Sequence, residues 1–260
     1  MCGGFVSFAP ELAGGSSADA DYIDDALSKA QRSHFWFVSR AELLVWAIRR
    51  YVPGARSMLE IGCGTGGVTG AIRAGLPGMR ITAGDVRISG LERAARDVPD
   101  VEFVQMDVQR LPFEAEFDAA GAFDVIEHLD DDTATLTTLR SAVKPGGGVF
   151  VTVPQHPALW SAVDEFSCHR RRYTRRELEA KLRTAGLEVL RMTSFASVVL
   201  PLLATSRRWP RRFEPERELR ISSAVNRVLL VLSAVERGII AAGCSLPMGG
   251  SLLAVARRPA

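Results

Sequence analysis

An α/β fold, with a doubly wound, mostly parallel sheet of seven strands and helices on both faces, is predicted by three features of this chain. From Ser57 onward, short apolar runs alternate with stretches of helical periodicity, the pattern of parallel strands joined by crossover helices. A glycine-rich turn, Gly62-Cys63-Gly64-Thr65-Gly66-Gly67, follows the first of those runs, where glycines let backbone approach a ligand closely and open a helix. Lys144-Pro145-Gly146-Gly147 separates a helical stretch from a strongly apolar run, because proline cannot continue a helical ladder and glycine takes the tight angles.

Residues 1–18 lack both a basic start and a long apolar stretch, so they do not read as a secretory signal and are expected to form a flexible tail. Residues 19–52 are predicted to form an N-terminal helical cap. Tyr22, Leu27, Phe35, Phe37, Leu43, Leu44, Ala47 and Ile48 recur there at helical spacing, with a break near Ser33. The core is expected over 53–194, with strands at Met58–Ile61, Arg80–Gly84, Val101–Gln105, Asp118–Ala122, Gly148–Val153 and Leu187–Thr193. A helical insertion, or lid, is placed at 195–250, and the last strand, Ser251–Ala256, falls within 251–260. The insertion holds two apolar runs, Val198–Leu203 and Val228–Val235, bounded by Arg207 and Arg208 and by Arg227, Glu236 and Arg237. Both fall short of the roughly 20 apolar residues that span a bilayer, so they are predicted as helices covering apolar surface.

With 260 residues, 47% hydrophobic and 24% charged, the chain has the composition of an ordinary globular protein able to bury a sizeable core. Its 32 basic and 30 acidic residues nearly cancel, so there is no overall field to hold nucleic acid. Arginines do crowd Arg170–Arg176 and Arg207–Arg220, which suits either an anionic partner or a solvated surface. Cys2, Cys63, Cys168 and Cys244 are scattered without a CxxC pair. That argues against a disulfide framework and a zinc site, and a cytoplasmic location is expected.

The chemistry-bearing residues gather where strands are predicted to end. Glu60 stands two residues ahead of Gly62; dinucleotide-binding turns lack that acid and continue to a third glycine. Asp85 and Val86 end the second strand, Met106-Asp107-Val108 end the third, and Phe123-Asp124-Val125-Ile126-Glu127-His128 end the fourth. Open parallel sheets bind ligands beyond these carboxyl ends. The segment after the fifth strand, through His156, Trp160, Asp164 and His169-Arg170-Arg171-Arg172-Tyr173, therefore borders the expected acceptor pocket.

These motifs, in this order over roughly Ser57–Val153, resemble the class I S-adenosylmethionine (SAM) dependent methyltransferases, in their small-molecule, methyltransferase type 11/12-like branch. The resemblance implies a Rossmann-like core, SAM as cofactor and S-adenosylhomocysteine as product. It places Glu60, Gly62, Cys63, Gly64 and Gly66 around the methionine moiety and Asp85, with Val86 beside it, at the ribose hydroxyls. Asp107 falls by the adenine amino group, Met106 and Val108 against the ring, and Phe123 with the Glu127-His128 pair near the transferred methyl. An enzyme acting on nucleobase amino groups would carry Asn/Asp-Pro-Pro-Tyr after the fourth strand, and Phe123-Asp124-Val125-Ile126 stands there, so no nucleic-acid substrate is expected.

Histidine takes a proton near neutral pH, so His128 is the first candidate base, His156 the second and His169 the third. Glu127, Trp160, Arg171, Arg172 and Tyr173 are candidate substrate contacts, with Tyr173 equally read as leading into a helix capped by Thr174. Trp36 and Arg40 are expected either to close over the cofactor or to serve plain packing. Cys63 also reads simply as a small residue in a tight turn. Glu127, His128, Asp130, Asp131 and Asp132 read as a strand end followed by an acidic helix start, and no required metal is expected. The expected reaction is in-line methyl transfer to a partly hydrophobic acceptor, natural-product-like or linked to lipid or sugar. A non-methylating cyclisation or rearrangement and a nucleotide-binding module without chemistry are the alternatives. The apolar insertion suits peripheral membrane contact or a homodimer interface.

Overall fold

The computed structural model describes residues 1–13, 28–201 and 221–260. Its strands are β1 (Val6–Ser7), β2 (Ser57–Ile61), β3 (Arg80–Asp85), β4 (Glu102–Gln105), β5 (Phe117–Phe123), β6 (Val143–Pro154), β7 (Glu188–Phe195) and β8 (Ser251–Arg257). The helices are α1 (Phe35–Tyr51), α2 (Gly67–Gly75), α3 (Ile88–Asp97), α4 (Asp132–Ala142), α5 (Ala162–Phe166), α6 (Arg175–Thr184) and α7 (Ser223–Ala241). The strands form one sheet in the order β1-β4-β3-β2-β5-β6-β8-β7. Only β8 runs antiparallel, to both β6 and β7.

The alternation of side chains along β2 explains the two core layers. Met58 faces the layer built with Leu44, Ile48, Ile72 and Leu91, whereas Leu59 faces the layer built with Leu136, Leu139, Leu178 and Leu182. Every residue of β2 is buried, as expected of a central parallel strand with helices on both sides.

The predicted α/β class and central strands are observed, with one strand more than expected. Val6 and Ser7 pair in parallel with Val104 and Gln105, so this part of the expected tail is a sheet edge. The buried Gln105 amide holds it: its Oε1 accepts from Ser7 Oγ at 2.6 Å and from the Ala9 N–H, and its Nε2 donates to the Ala9 carbonyl at 2.8 Å. Lys144-Pro145-Gly146-Gly147 is a bulge within β6 instead of a separate turn, because Val143 already pairs with Phe117 before Gly148 pairs with Ala119.

Helix α1 starts at His34, whose Nδ1 accepts from the Trp36 N–H. Asn226 of α7 secures the same end, accepting from the Phe35 N–H and donating to the Ser33 carbonyl, both at 2.8 Å. Leu229 and Leu230 of α7 pack on the core, whereas Val228, Val231 and Val235 are exposed, so the expected covering helix turns one apolar side outward. Tyr22, Leu27, the end of the run Val198–Leu203 and Arg207–Arg220 lie outside the described residues. Among the described residues, no helix is long and apolar enough to cross a membrane.

Candidate active site at the strand ends

The chain leaves β2 through Gly62, Gly64 and Gly66, with φ of 65°, 53° and 80°, a left-handed conformation that favours glycine. Their roles differ. A side chain at Gly62 would collide with Val125 and one at Gly66 with Ala94, while the space beside Gly64 is open. Asp85 fastens this turn to the end of β3: its carboxylate accepts from the Gly64 N–H at 2.8 Å and from the Arg87 N–H at 3.0 Å. Glu60 lies buried beneath and accepts from Thr69 Oγ1 at 2.7 Å; burial pushes its carboxyl up to about 7. Burial, and then the charges of Asp85 and Glu60, push the Cys63 thiol up, which leaves it a small, inert residue of the turn.

At the end of β4, Asp107 is half-buried and accepts from the Gln109 N–H at 2.9 Å. Val86 and Val108 are half-buried. Two expected cofactor contacts have buried side chains. Met106 is fully buried, folded back on Gly84, and Phe123 folds back over Gly121; both side chains fill the core because each faces a strand glycine that leaves room for it. Gln31 was not anticipated: its Oε1 accepts from Thr65 Oγ1 at 2.9 Å, and its side chain lies against Gly67. No motif marked it, because the contact comes from the cap.

Beyond β5, Asp124 takes a φ of 58° and forms an ion pair with Arg40 of α1. The Arg40 guanidinium lies 4.4 Å from the ring centroid of Trp36, and Thr152 Oγ1 donates to Asp124 at 3.1 Å. Trp36 and Arg40 are thus brought from the cap to the end of β5.

Glu127 follows in a short 3-10 turn, fully buried, and among the described residues neither of its carboxylate oxygens has a hydrogen-bond partner. Burial, reinforced by the charge of Asp124, pushes its carboxyl well above the usual range. His169 Nε2 lies 4.0 Å from Glu127 Oε1, and the His128 and His169 rings meet edge to face with centroids 4.8 Å apart. The other nitrogen of His169, Nδ1, shares a 2.9 Å hydrogen bond with Asp164. Asp164 also accepts from Arg172 Nε at 2.7 Å and from the Ser161 N–H at 2.9 Å. Burial raises its pKa, but these bonds outweigh that and hold it at about 2.

His156, just past β6, has a φ of 64° and a buried Nε2 without a hydrogen-bond partner among the described residues. Burial and then the nearby Arg172 charge lower its pKa, as burial and then His169 lower that of His128. Trp160 is exposed.

Three expected substrate contacts are engaged within the protein. Arg171 donates to Asp132 and to the carbonyls of Leu129 and Asp130 at 3.0–3.2 Å. Arg172, with 8% of its side chain exposed, pairs with Asp164 and donates to the Gln155 carbonyl. Tyr173 is buried and donates to Asp132 at 2.7 Å. Arg171 and Tyr173 fasten the loop to the segment after β5, and Arg172 ties it to its own Asp164 and to the end of β6, because a buried polar atom must find partners nearby.

A family model described as a methyltransferase domain matches residues 21–192. The chain belongs to the methyltransferase domain family. This methyltransferase-domain chain is 36% identical to a malonyl-[acyl-carrier protein] O-methyltransferase of Halalkalibacterium halodurans over 99 residues, covering 35% of the chain and 36% of that protein. It is 28% identical to a demethylmenaquinone methyltransferase of Renibacterium salmoninarum over 191 residues, covering 73% and 72% of the two. Matches to other curated relatives span from 36% to 57% of their lengths. The fold is similar to that of the [4+2]-cyclase SpnF, with a TM-score of 0.62 at 20% identity over 93% and 94% of the two chains.

The residues of this methyltransferase domain fit an adenosyl cofactor. The space beside Gly64 is open to a ligand, and Glu60, Asp85 and Asp107 stand at or just beyond the carboxyl ends of the adjacent strands β2, β3 and β4. Carboxylates offer the acceptor atoms that hydroxyl and amino groups of such a ligand require.

Proposed function

We propose that the protein transfers a methyl group from SAM to a small, partly apolar acceptor, natural-product-like or linked to lipid or sugar. The observation that carries this reading is the adjacency of two half-sites along one edge of the sheet. The open glycine turn with its carboxylates follows β2 to β4, and the Glu127, His128, His156 and His169 groups follow β5 and β6. Glu60, Gly64, Asp85, Asp107 and the rims of Val86 and Val108 hold the cofactor, and Trp36 with Arg40 closes over it. When bound, SAM supplies the activated methyl, and transfer leaves S-adenosylhomocysteine.

The chain's own work is alignment, exclusion of water and removal of a proton from the acceptor. We assign the proton to His156. Its lowered pKa keeps it in the base form at neutral pH, its Nε2 has no hydrogen-bond partner among the described residues, and its left-handed backbone is the kind of strain that gathers at functional sites. His128 and His169 belong to the cluster with Glu127 and act in holding the acceptor, with Trp160 at the exposed rim. The cytoplasm is the proposed location, and the exposed apolar side of α7 is the proposed surface for membrane or homodimer contact.

Calorimetric titration with SAM, S-adenosylhomocysteine and NAD tests the cofactor half. Binding of both adenosyl ligands and not NAD is expected; absence of adenosyl binding refutes the proposal. Acceptor turnover with SAM recovered unchanged would mark a non-methylating reaction instead.

A further inference from the structure

We propose that Glu127, His128 and His169 bind one divalent cation of the zinc class. This deepens the acceptor-site reading above and rests on it for the cation's use, though not for its binding. The proposal starts from Glu127. A buried carboxylate is ordinarily satisfied by hydrogen bonds or a cation, yet both of its oxygens lack hydrogen-bond partners among the described residues and the residue is fully buried. One donor atom from each of Glu127, His128 and His169 lies within 4.8 Å of the other two. Donors around one zinc ion at about 2.1 Å stand roughly 3.4 Å apart, so side-chain rotation of about an ångström closes the set.

The surroundings are those of a metal-ligating histidine. His169 Nδ1 is engaged by Asp164, which fixes the ring and leaves Nε2 on the Glu127 side. Metal-bound histidines characteristically carry such a carboxylate behind them. Asp164 is itself held by Arg172 and by the Ser161 N–H, so the ring is oriented by a fixed group. The nearby cations do not leave a positive site, because Arg40 is paired with Asp124 and Arg172 with Asp164.

Two imidazoles and one carboxylate favour zinc, cobalt or iron over magnesium and calcium, which prefer all-oxygen sets. Three protein ligands leave a position open. An acceptor oxygen bound there would be held near the methyl donor and made more acidic, with His156 taking its proton. The metal-free expectation from the sequence read Glu127 and His128 as the approach to an acidic helix; it had no means of placing His169 beside them.

The test is titration of chelator-treated full-length protein with zinc chloride and cobalt chloride. One equivalent of either, a visible cobalt absorption band and a higher melting temperature are expected. Glu127→Gln and His169→Gln should abolish the cobalt band. Asp164→Asn, as a change in a positioning residue, should keep one equivalent with roughly 10–100-fold weaker affinity. S-adenosylhomocysteine binding is measured on each protein to show that it is folded. Wild-type protein that binds S-adenosylhomocysteine but neither metal overturns the cation site, as does metal binding that all three variants retain. Metal binding without adenosyl binding supports the cation site and refutes the cofactor reading.

Discussion

Arg40 of α1 and Asp124 beyond β5 form an ion pair inside the protein, with side chains 8% and 17% exposed. The pair joins the N-terminal cap to the carboxyl end of β5. Removing one member of such a pair leaves a buried charge alone and costs about 3–5 kcal/mol. Arg40→Ala and Asp124→Asn should each lower unfolding stability by that order, measured in urea, whereas Arg40→Met with Asp124→Asn should lose less than the sum. Single variants within about 1 kcal/mol of the parent would show that the pair does not hold the cap.

Gly62 and Gly64 should respond differently to alanine. At Gly62 the added methyl meets Val125 in a left-handed backbone, and a loss on the order of 2–4 kcal/mol is expected. At Gly64 the space is open, so only backbone strain of about 1–2 kcal/mol applies. The Gly64→Ala methyl would, however, enter the cofactor side and lower S-adenosylhomocysteine affinity. Unfolding curves and calorimetry on the two variants distinguish the roles.

Asp85 accepts from the Gly64 N–H and keeps further lone pairs for hydroxyl groups. Asp85→Ala should weaken S-adenosylhomocysteine binding by roughly tenfold to a hundredfold, the loss expected for hydrogen bonds to a charged group. Unchanged affinity would remove Asp85 from the cofactor site.

Asp164 sets an acid limit on stability. Its carboxyl sits at about 2 in the folded protein against an ordinary 3.8, so the unfolded chain binds the proton more readily. The stabilisation is fully present above the ordinary value and is lost as pH falls towards 2; it amounts to about 2 kcal/mol. Asp164→Asn should flatten the acid branch of the stability profile between about pH 4 and 2. A variant with the parent's profile there would show that the hydrogen bonds do not set this pKa.

His156→Gln should lower kcat by roughly a hundredfold or more with a smaller change in KM, as expected for a lost general base. Because its pKa is lowered from 6.5, the acid limb of the parent's kcat profile should fall below pH 6.5, where the imidazole protonates. Persistence of that limb in the variant would assign it to another group.

The two halves of the proposed site were unequally legible. Glu60, Gly64, Asp85 and Asp107 sit at turns and strand ends where local sequence dictates backbone path, and their spacing is readable because each strand presents one such end. The intramolecular partners of Arg171 and Arg172 were not legible, because a basic run looks the same whether it meets an anion or ties down a loop. The burial of the Met106 and Phe123 side chains was not legible, because the direction of each depends on glycines, Gly84 and Gly121, that leave space in the core.

By itself the sequence determined the alternation of strands and helices, the glycine turn and the order of carboxylates after the strands, since periodicity, proline, glycine and short spacings act over a few residues. Only the tertiary structure decided that Gln105 captures an additional strand, that Arg40 reaches Asp124, and that His169, held by Asp164, returns beside Glu127 and His128. Those pairings join residues far apart in the chain. They depend on which buried polar groups find partners once the sheet has assembled, and no local pattern encodes that competition.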